Sequence, residues 1–161
     1  MKFLSALALL LLPAAAAAQE PPAPDTAWHN AQMLALWNLR AEDGWRTTAS
    51  GLRYRQVRSG EPNAPRPSAE DTVTIHYVGT FIDGREFDSS VARGEPATFP
   101  LPRLIRGWQE GVPLMAVGDR FEFAIPFGLA YGPRGRGPIP GGATLLFTID
   151  LIGIGEPAAT R

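Results

Sequence analysis

Four stretches of the chain alternate polar and apolar residues with a period of two. Leu52, Tyr54 and Gln56 oppose Arg53, Arg55 and Val57, while Val73, Ile75 and Tyr77 oppose Thr72, Thr74 and His76. Phe121, Phe123 and Ile125 oppose Arg120, Glu122 and Ala124, and Leu145, Phe147, Ile149 and Leu151 oppose Leu146, Thr148 and Asp150. Side chains of a strand point alternately to its two faces, so this pattern predicts strands with one face toward a core. Asp83-Gly84 is a turn signal placed to fold the Val73–Ile82 strand back onto the segment that carries Phe87.

Two stretches follow helical spacing instead. Leu104, Ile105 and Trp108 predict one short helix over Leu101–Glu110, with Pro102 in its first turn, where a missing N–H does least harm, and Gly111 at its end. Trp28, Met33, Leu36, Trp37 and Arg40 predict a helix over residues 27–42, capped by Asp25 or Thr26 and stopped by Gly44. Leu34 and Leu39 fall off its stripe, and exposed tryptophans are a liability, so this helix is expected to pack on the domain or on a partner. The whole reads as an α+β fold: an antiparallel sheet half covered by one mid-chain helix and preceded by an N-terminal helix.

The start of the chain changes this picture only in compartment. MKFLSALALLLLPAAAAAQE has one lysine, an apolar run and then Ala16-x-Ala18, the pattern of a secretory signal peptide cleaved near Ala18. Phe3 to Ala18 is 16 residues, short of the roughly 20 that a spanning helix needs. The expected organisation is a signal peptide over 1–18, a Pro-rich linker with the N-terminal helix over 19–50, a domain over 51–155 and a tail over 156–161. The product would be periplasmic or secreted. The absence of cysteine rules out a disulfide framework and a lipid-modified cysteine. Cleavage would remove Lys2, the only lysine, and take the formal net charge from −1 to −2, a balance that gives no reason to expect nucleic acid as a partner.

Reactive chemistry is sparse. The histidines, His29 and His76, are far apart and have no carboxylates at ligand spacing, so neither a metal nor another cofactor is expected. Ser89 or Ser90 with His76 would make a formal nucleophile and base, but no elbow motif surrounds them, and His76 reads as a hydrogen-bonded strand residue. GPRGRGPIPGG, residues 132–142, raises three options: linker, phosphate cradle or pocket rim. It lacks a Gly-Lys-Ser/Thr ending and precedes a strand, whereas a phosphate cradle opens a helix. As a linker it would leave too little domain on either side. The rim of a pocket remains.

Several stretches in order over residues 51–155 together resemble the FKBP family of peptidyl-prolyl isomerases. They are Val73-x-Ile-His-Tyr-x-Gly79, Asp83-Gly-x-x-Phe-Asp-Ser-Ser90, Leu104-Ile-x-Gly-Trp-x-Glu-Gly111, Met115-x-Val-Gly118, Ile125-Pro126, Ala130-Tyr-Gly132, and Gly137-x-Ile-Pro140 followed by Ala143-Thr-Leu-x-Phe147. The Leu39–Tyr54 segment and Gly94-Glu-Pro-Ala-Thr-Phe-Pro100 are similar to the secreted bacterial, Mip-like branch.

The resemblance implies an FKBP-like half-barrel, a bent antiparallel sheet of five or so strands wrapped around the short helix, with a hydrophobic pocket between them. It implies catalytic roles for Asp88, Tyr131, Tyr77 and Phe147, and substrate contacts from Phe87, Leu104, Ile105, Trp108 as floor, Ile139 and Arg93. By themselves Arg93, Arg134 and Arg136 read most simply as solvated loop charges, with a pairing of Arg93 to Asp88 as the alternative. The 132–142 loop becomes a flap over the pocket. Implied partners are unfolded or folding polypeptides containing proline, together with macrolides of the FK506 and rapamycin type, and the short N-terminal region implies a monomer. A rival from another class is a binding module or periplasmic chaperone that uses the same pocket without turnover. The chain departs from the family pattern at Ala97, where many members carry an aromatic wall residue, at Gly135-Arg136 in the flap, and at Gly141-Gly142.

Overall fold

The computed structural model describes residues 25–155, and the predicted leader and the 156–161 tail lie outside the described residues. In chain order come helix α1 (Thr26–Trp37), strands β1 (Arg46–Thr47), β2 (Arg53–Arg58), β3 (Thr72–Thr80) and β4 (Glu86–Ser89), and the one-turn helix α2 (Ser90–Arg93). Strand β5 (Ala97–Pro100), helix α3 (Arg106–Gly111) and strands β6 (Arg120–Ile125) and β7 (Leu145–Gly155) complete the order.

The strands form a seven-stranded sheet ordered β1-β2-β6-β7-β3-β4, with every pairing antiparallel. One edge of β3 is shared: β4 pairs Val78 to Thr80, and β5 pairs Thr72 to Ile75. That division, together with the two-residue β1, is why the sheet has seven strands where five or so were expected. The inward alternation of β3 holds throughout, with Val73, Ile75 and Tyr77 buried and Thr74 and His76 between them partly exposed. Leu145, Phe147, Ile149 and Leu151 of β7 and Phe121, Phe123 and Ile125 of β6 face the same core, which Leu101, Trp108, Val112 and Met115 fill from the other side. Each fully buried side chain of this size contributes about 1.5–3 kcal/mol.

Helix α3 lies unusually close to the sheet. A Cβ added at Gly107 would stand 2.5 Å from Ile125, and one added at Gly111 would stand 2.6 Å from Phe123. Glycine costs a helix about 1 kcal/mol at each position relative to alanine. The chain bears that cost because any side chain there would lift the helix off the sheet.

Both predicted helices are shorter than their spacing suggested. Residues 101–110 do not form one helix: a 3-10 turn at Leu101–Arg103 is followed by extended backbone at Leu104 and Ile105, and α3 begins only at Arg106. The Gln109 side chain holds this break by donating to the Leu104 carbonyl at 2.7 Å. Gly111 does not stop the chain from turning, since a further 3-10 turn follows at Val112–Leu114. Helix α1 ends at Trp37 rather than near residue 42, and Gly44, at φ 84°, closes a separate 3-10 turn at Ala41–Asp43. Contacts with β2 explain the early stop, because Arg53 donates to the Leu39 carbonyl at 3.0 Å and Arg55 lies over the Trp45 ring at 5.0 Å. Helical spacing carries no information about such distant partners.

Asp25 caps α1, accepting from the Trp28 N–H at 2.7 Å. The helix docks on the segment between flap and β7. Gln32, only 5% exposed, accepts through Oε1 from the Thr144 N–H at 2.9 Å, and the Thr144 hydroxyl donates to the Gln32 carbonyl at 3.5 Å. The expected packing of this helix on the domain is thus made by a polar residue and by Trp28, while Met33, Leu34 and Trp37 stay exposed. Replacing Gln32 by Ala strands the buried Thr144 N–H, and an unpaired buried donor costs about 1–3 kcal/mol. Urea denaturation of Gln32→Ala should show a loss of that size; a loss under about 0.5 kcal/mol would mean that α1 rests on the domain without bracing it.

Candidate functional site

Trp108, 5% exposed, stands at the centre of the concave side, and aromatic rings from three strands meet it. Tyr77 of β3 approaches edge-on with ring centroids 5.3 Å apart, Phe147 of β7 at 5.2 Å and Phe99 of β5 at 6.3 Å. Phe87 of β4 in turn meets Phe147 edge-on at 5.6 Å. Such geometry sets positive ring edges against negative faces and fixes the rings relative to one another. Gly79 makes the last pair possible, since a Cβ there would lie 2.7 Å from Phe87 and 2.8 Å from Phe147.

These rings border an open cavity of about 610 Å³. The extended Leu104 and Ile105 line it from the break before α3, and Tyr131 lines it from the chain entering the flap. Tyr77, Phe87, Asp88, Leu104, Ile105, Trp108, Tyr131 and Phe147, eight of the ten residues expected at the site, therefore share one concavity. Ile139 does not line it. It sits 7% exposed in an adjoining hollow of about 300 Å³, bordered also by Phe87, Asp88, Tyr131 and Arg136. Arg93 reaches the site indirectly, through Asp88 and Tyr77.

The flap that joins the two hollows folds back on itself. Arg136 and Ile139 exchange backbone hydrogen bonds at 2.9 and 3.0 Å, and the Gly142 N–H donates to the Gly132 carbonyl at 2.9 Å. Gly142, at φ 77°, also faces His29 and Trp28 of α1, and a Cβ there would come within 2.9 Å of the His29 ring. Gly142 thus makes room for the N-terminal helix, while Gly141 lets the flap's own backbone at Pro133 come close.

Sequence reasoning missed Phe99 and the arginine rim. Ala97 stands in place of an aromatic wall residue, but Phe99, two residues along the same strand, packs against both Tyr77 and Trp108. The signal was present: Ala97 and Phe99 fall on one face of a period-two segment, hidden by its brevity and its flanking prolines. Arg103, Arg106 and Arg136 also border the cavity, and nothing periodic marks them.

One polar cluster interrupts the aromatic wall. The Tyr77 hydroxyl donates to Asp88 Oδ2 at 2.5 Å, and Arg93 donates to Asp88 Oδ1 through Nη1 and to the Tyr77 oxygen through Nη2 at 2.9 Å. Burial pushes the Tyr77 hydroxyl above its ordinary range, and the neighbouring carboxylate adds to the rise. Partial burial also pushes the Asp88 carboxyl up. Hydrogen bonds from Tyr77 and Arg93, the Arg93 charge and the Ser89 N–H outweigh it, and Asp88 stays below the usual carboxylate range. Asp88 is therefore an anion with both oxygens engaged, and Tyr77 a neutral donor. Among the described residues, no side-chain hydrogen bond holds the Tyr131 hydroxyl. His76 lies apart from this cluster, with Nδ1 at 3.0 Å from the Ser90 hydroxyl, as the reading of a hydrogen-bonded strand histidine anticipated.

A family model described as FKBP-type peptidyl-prolyl cis-trans isomerase matches residues 64–152, more than half of the chain. The chain is 51% identical over 118 residues, 73% of its own length and 43% of the other's, to the FKBP-type peptidyl-prolyl cis-trans isomerase FkpA of Aeromonas hydrophila. It is 42% identical over 112 residues to the peptidyl-prolyl cis-trans isomerase Mip of Coxiella burnetii, covering 69% of this chain and 48% of that one. It therefore spans about half the length of these relatives. Among solved structures, a peptidyl-prolyl cis-trans isomerase from Pseudomonas syringae superposes with a TM-score of 0.75 at 31% identity, covering 84% of this chain and 99% of that one.

A carboxyl held below its unfolded value stabilises the fold above that value, about pH 4, and the contribution disappears as pH falls through the folded midpoint. NMR titration of the Asp88 carboxyl carbon should give a midpoint below about 3.9, moving upward in Tyr77→Phe, which removes a donor to the anion. An unmoved midpoint would show that this hydrogen bond does not hold the charge.

Proposed function

Since this chain belongs to the family of FKBP-type peptidyl-prolyl cis-trans isomerases, we propose that it accelerates rotation about X-Pro bonds in exported proteins. The observation that carries the reading is the convergence of Tyr77, Phe87, Phe99, Phe147 and Trp108 on one cavity beside a single anchored carboxylate. X-Pro rotation faces a barrier of about 18–20 kcal/mol and takes tens to hundreds of seconds unaided. It makes and breaks no bond, so it needs no nucleophile.

At the twisted transition state amide resonance is lost, and the charge-separated, strongly hydrated character of the planar amide fades. A pocket poor in water favours that state over the planar ground state, which is differential binding of the transition state. Lowering the barrier by about 5–6 kcal/mol gives roughly ten-thousandfold acceleration. In this reading the proline ring rests over Trp108, Tyr77 and Phe147 wall it, Leu104 and Ile105 flank the peptide, and Tyr131 donates to a substrate carbonyl. Asp88, fixed by Tyr77 and Arg93, orients the rotating carbonyl or its neighbour.

The pocket's size and aromatic lining also suit macrolides of the FK506 and rapamycin type. The leader pattern supports export with cleavage near Ala18 and a mature domain spanning 51–155. The Coxiella and Aeromonas relatives extend well beyond the matched segment. A second reading, capture of unfolded chains, draws on one feature: Met33, Leu34 and Trp37 expose 61, 57 and 76% of their surface on α1.

In a protease-coupled assay with an Ala-Xaa-Pro-Phe peptide, the protein should accelerate isomerisation, and Asp88→Ala and Tyr131→Phe should each lower kcat/KM by about tenfold or more, the loss of one directed polar contact. If the wild type has no activity, or both variants match it, the enzyme reading loses to capture. A macrolide of the FK506 type should compete with the peptide. Because the anchored carboxylate lies below the usual range and the phenol above its own, kcat/KM should stay flat from about pH 5 to 9. A limb near pH 6–7 would implicate a titrating group that this mechanism does not use.

A further inference from the structure

Four arginines on or beside the sheet are paired with carboxylates. Arg55 pairs with Glu122 at 2.6 Å, Arg58 and Arg120 share Asp150 at 2.8 Å each, and Arg85 pairs with Asp83 at 2.9 Å. Those around the aromatic cavity are arranged differently. Arg103 and Arg106 border it on one side from the segment leading into α3, and Arg136 borders it from the flap. Among the described residues, none of these three forms an ion pair or a side-chain hydrogen bond. The carboxylate that lines the cavity, Asp88, is already matched by Arg93.

The sign of charge at the mouth is thus opposite to that of the chain, whose formal net charge is −1. Guanidinium groups stay protonated across the accessible pH range, and low-dielectric walls such as Tyr77, Phe99 and Trp108 concentrate the field of charges placed at their rim. A peptide entering the cavity with its proline toward Trp108 carries its neighbouring residues out to this rim.

We propose, resting on the isomerase reading above, that Arg103, Arg106 and Arg136 select X-Pro segments bearing an acidic residue beside the proline. The three positions are determinants of specificity, acting on the flanking side chain and leaving the twisted amide to the aromatic floor. Exposed ion pairs each shift an equilibrium by less than about fivefold, so three arginines acting on one carboxylate give roughly three- to tenfold. Salt screens such contacts, with a Debye length of about 8 Å at physiological ionic strength and about 3 Å at 1 M.

The test uses acetyl-capped Ala-Glu-Pro-Phe, Ala-Gln-Pro-Phe and Ala-Lys-Pro-Phe peptides with the full chain. Glu and Gln are nearly isosteric, so their ratio isolates charge. The Glu peptide should exceed the Gln peptide in kcat/KM by about three- to tenfold at low salt, with the Lys peptide lowest, and the Glu advantage should shrink toward unity at 1 M salt. The R103Q/R106Q/R136Q triple variant should bring the Glu to Gln ratio close to one. Turnover of the Gln peptide without any Glu preference would overturn this proposal and leave the isomerase reading standing. Should no peptide turn over, fluorescence anisotropy of dye-labelled Glu and Gln peptides reads the same preference from binding alone, and equal affinities would overturn it there.

Discussion

The distance between helix α3 and the sheet governs everything else in this molecule. At Gly107 and Gly111 there is no space for a single methyl group, because Ile125 and Phe123 occupy it. That contact carries Trp108 down among Tyr77, Phe99 and Phe147, so that these rings both close the core and border an aromatic hollow beside it. A larger residue at either glycine would raise the floor, and overpacking of this kind costs about 1–3 kcal/mol besides. Fold stability and pocket shape are here the same constraint. The Trp108 N–H is buried there and finds no hydrogen-bond partner among the described residues.

Polarity is rationed around that hollow. Asp88, Tyr77 and Arg93 form a closed set in which each charge or hydroxyl is answered by another, so the wall stays rigid and its carboxylate ionised. A carboxylate with one free oxygen would swing toward solvent and bring water to a surface whose work depends on excluding it. Arg103, Arg106 and Arg136, which form no ion pair among the described residues, border the cavity from the turn before α3, from the first residue of α3 and from the flap. In the proposed isomerase, rotation would fall to the aromatic floor and selection to these arginines.

Much of this was legible in the chain itself. The alternation in β3, β6 and β7 gave the centre of the sheet, because those strands bury their inward positions, whereas in β2 it failed: Leu52 just before the strand is buried, Tyr54 only partly and Gln56 is exposed. Eight aromatic, aliphatic or carboxylate positions came together as their motifs implied. What escaped was decided by contacts that no local pattern encodes. Helix α1 stops early because Leu39 and Trp45 are claimed by β2, the mid-chain helix breaks so that Leu104 and Ile105 can face the cavity, and β5 is too short for its alternation to register. The arginine rim was invisible for a related reason: Arg103, Arg106 and Arg136 follow no period, and only the fold brings them to the border of one cavity.

The N-terminal helix belongs to the same design. Gln32 is buried where an apolar residue would suit an ordinary docking face, and it is used to satisfy the Thr144 N–H at the junction of flap and β7. Gly142, one turn of chain away, has no side chain because His29 and Trp28 occupy that space. A flap that lined its pocket through Gly-rich backbone alone would sample many conformations, since glycine loses more freedom on ordering than any other residue. Anchoring one end of it to β7 and the other side to α1 restricts that freedom without placing bulk in the cavity. The residues before the sheet therefore do more than precede the domain: they pack against the root of the loop whose Arg136 and Ile139 border one hollow with Tyr131.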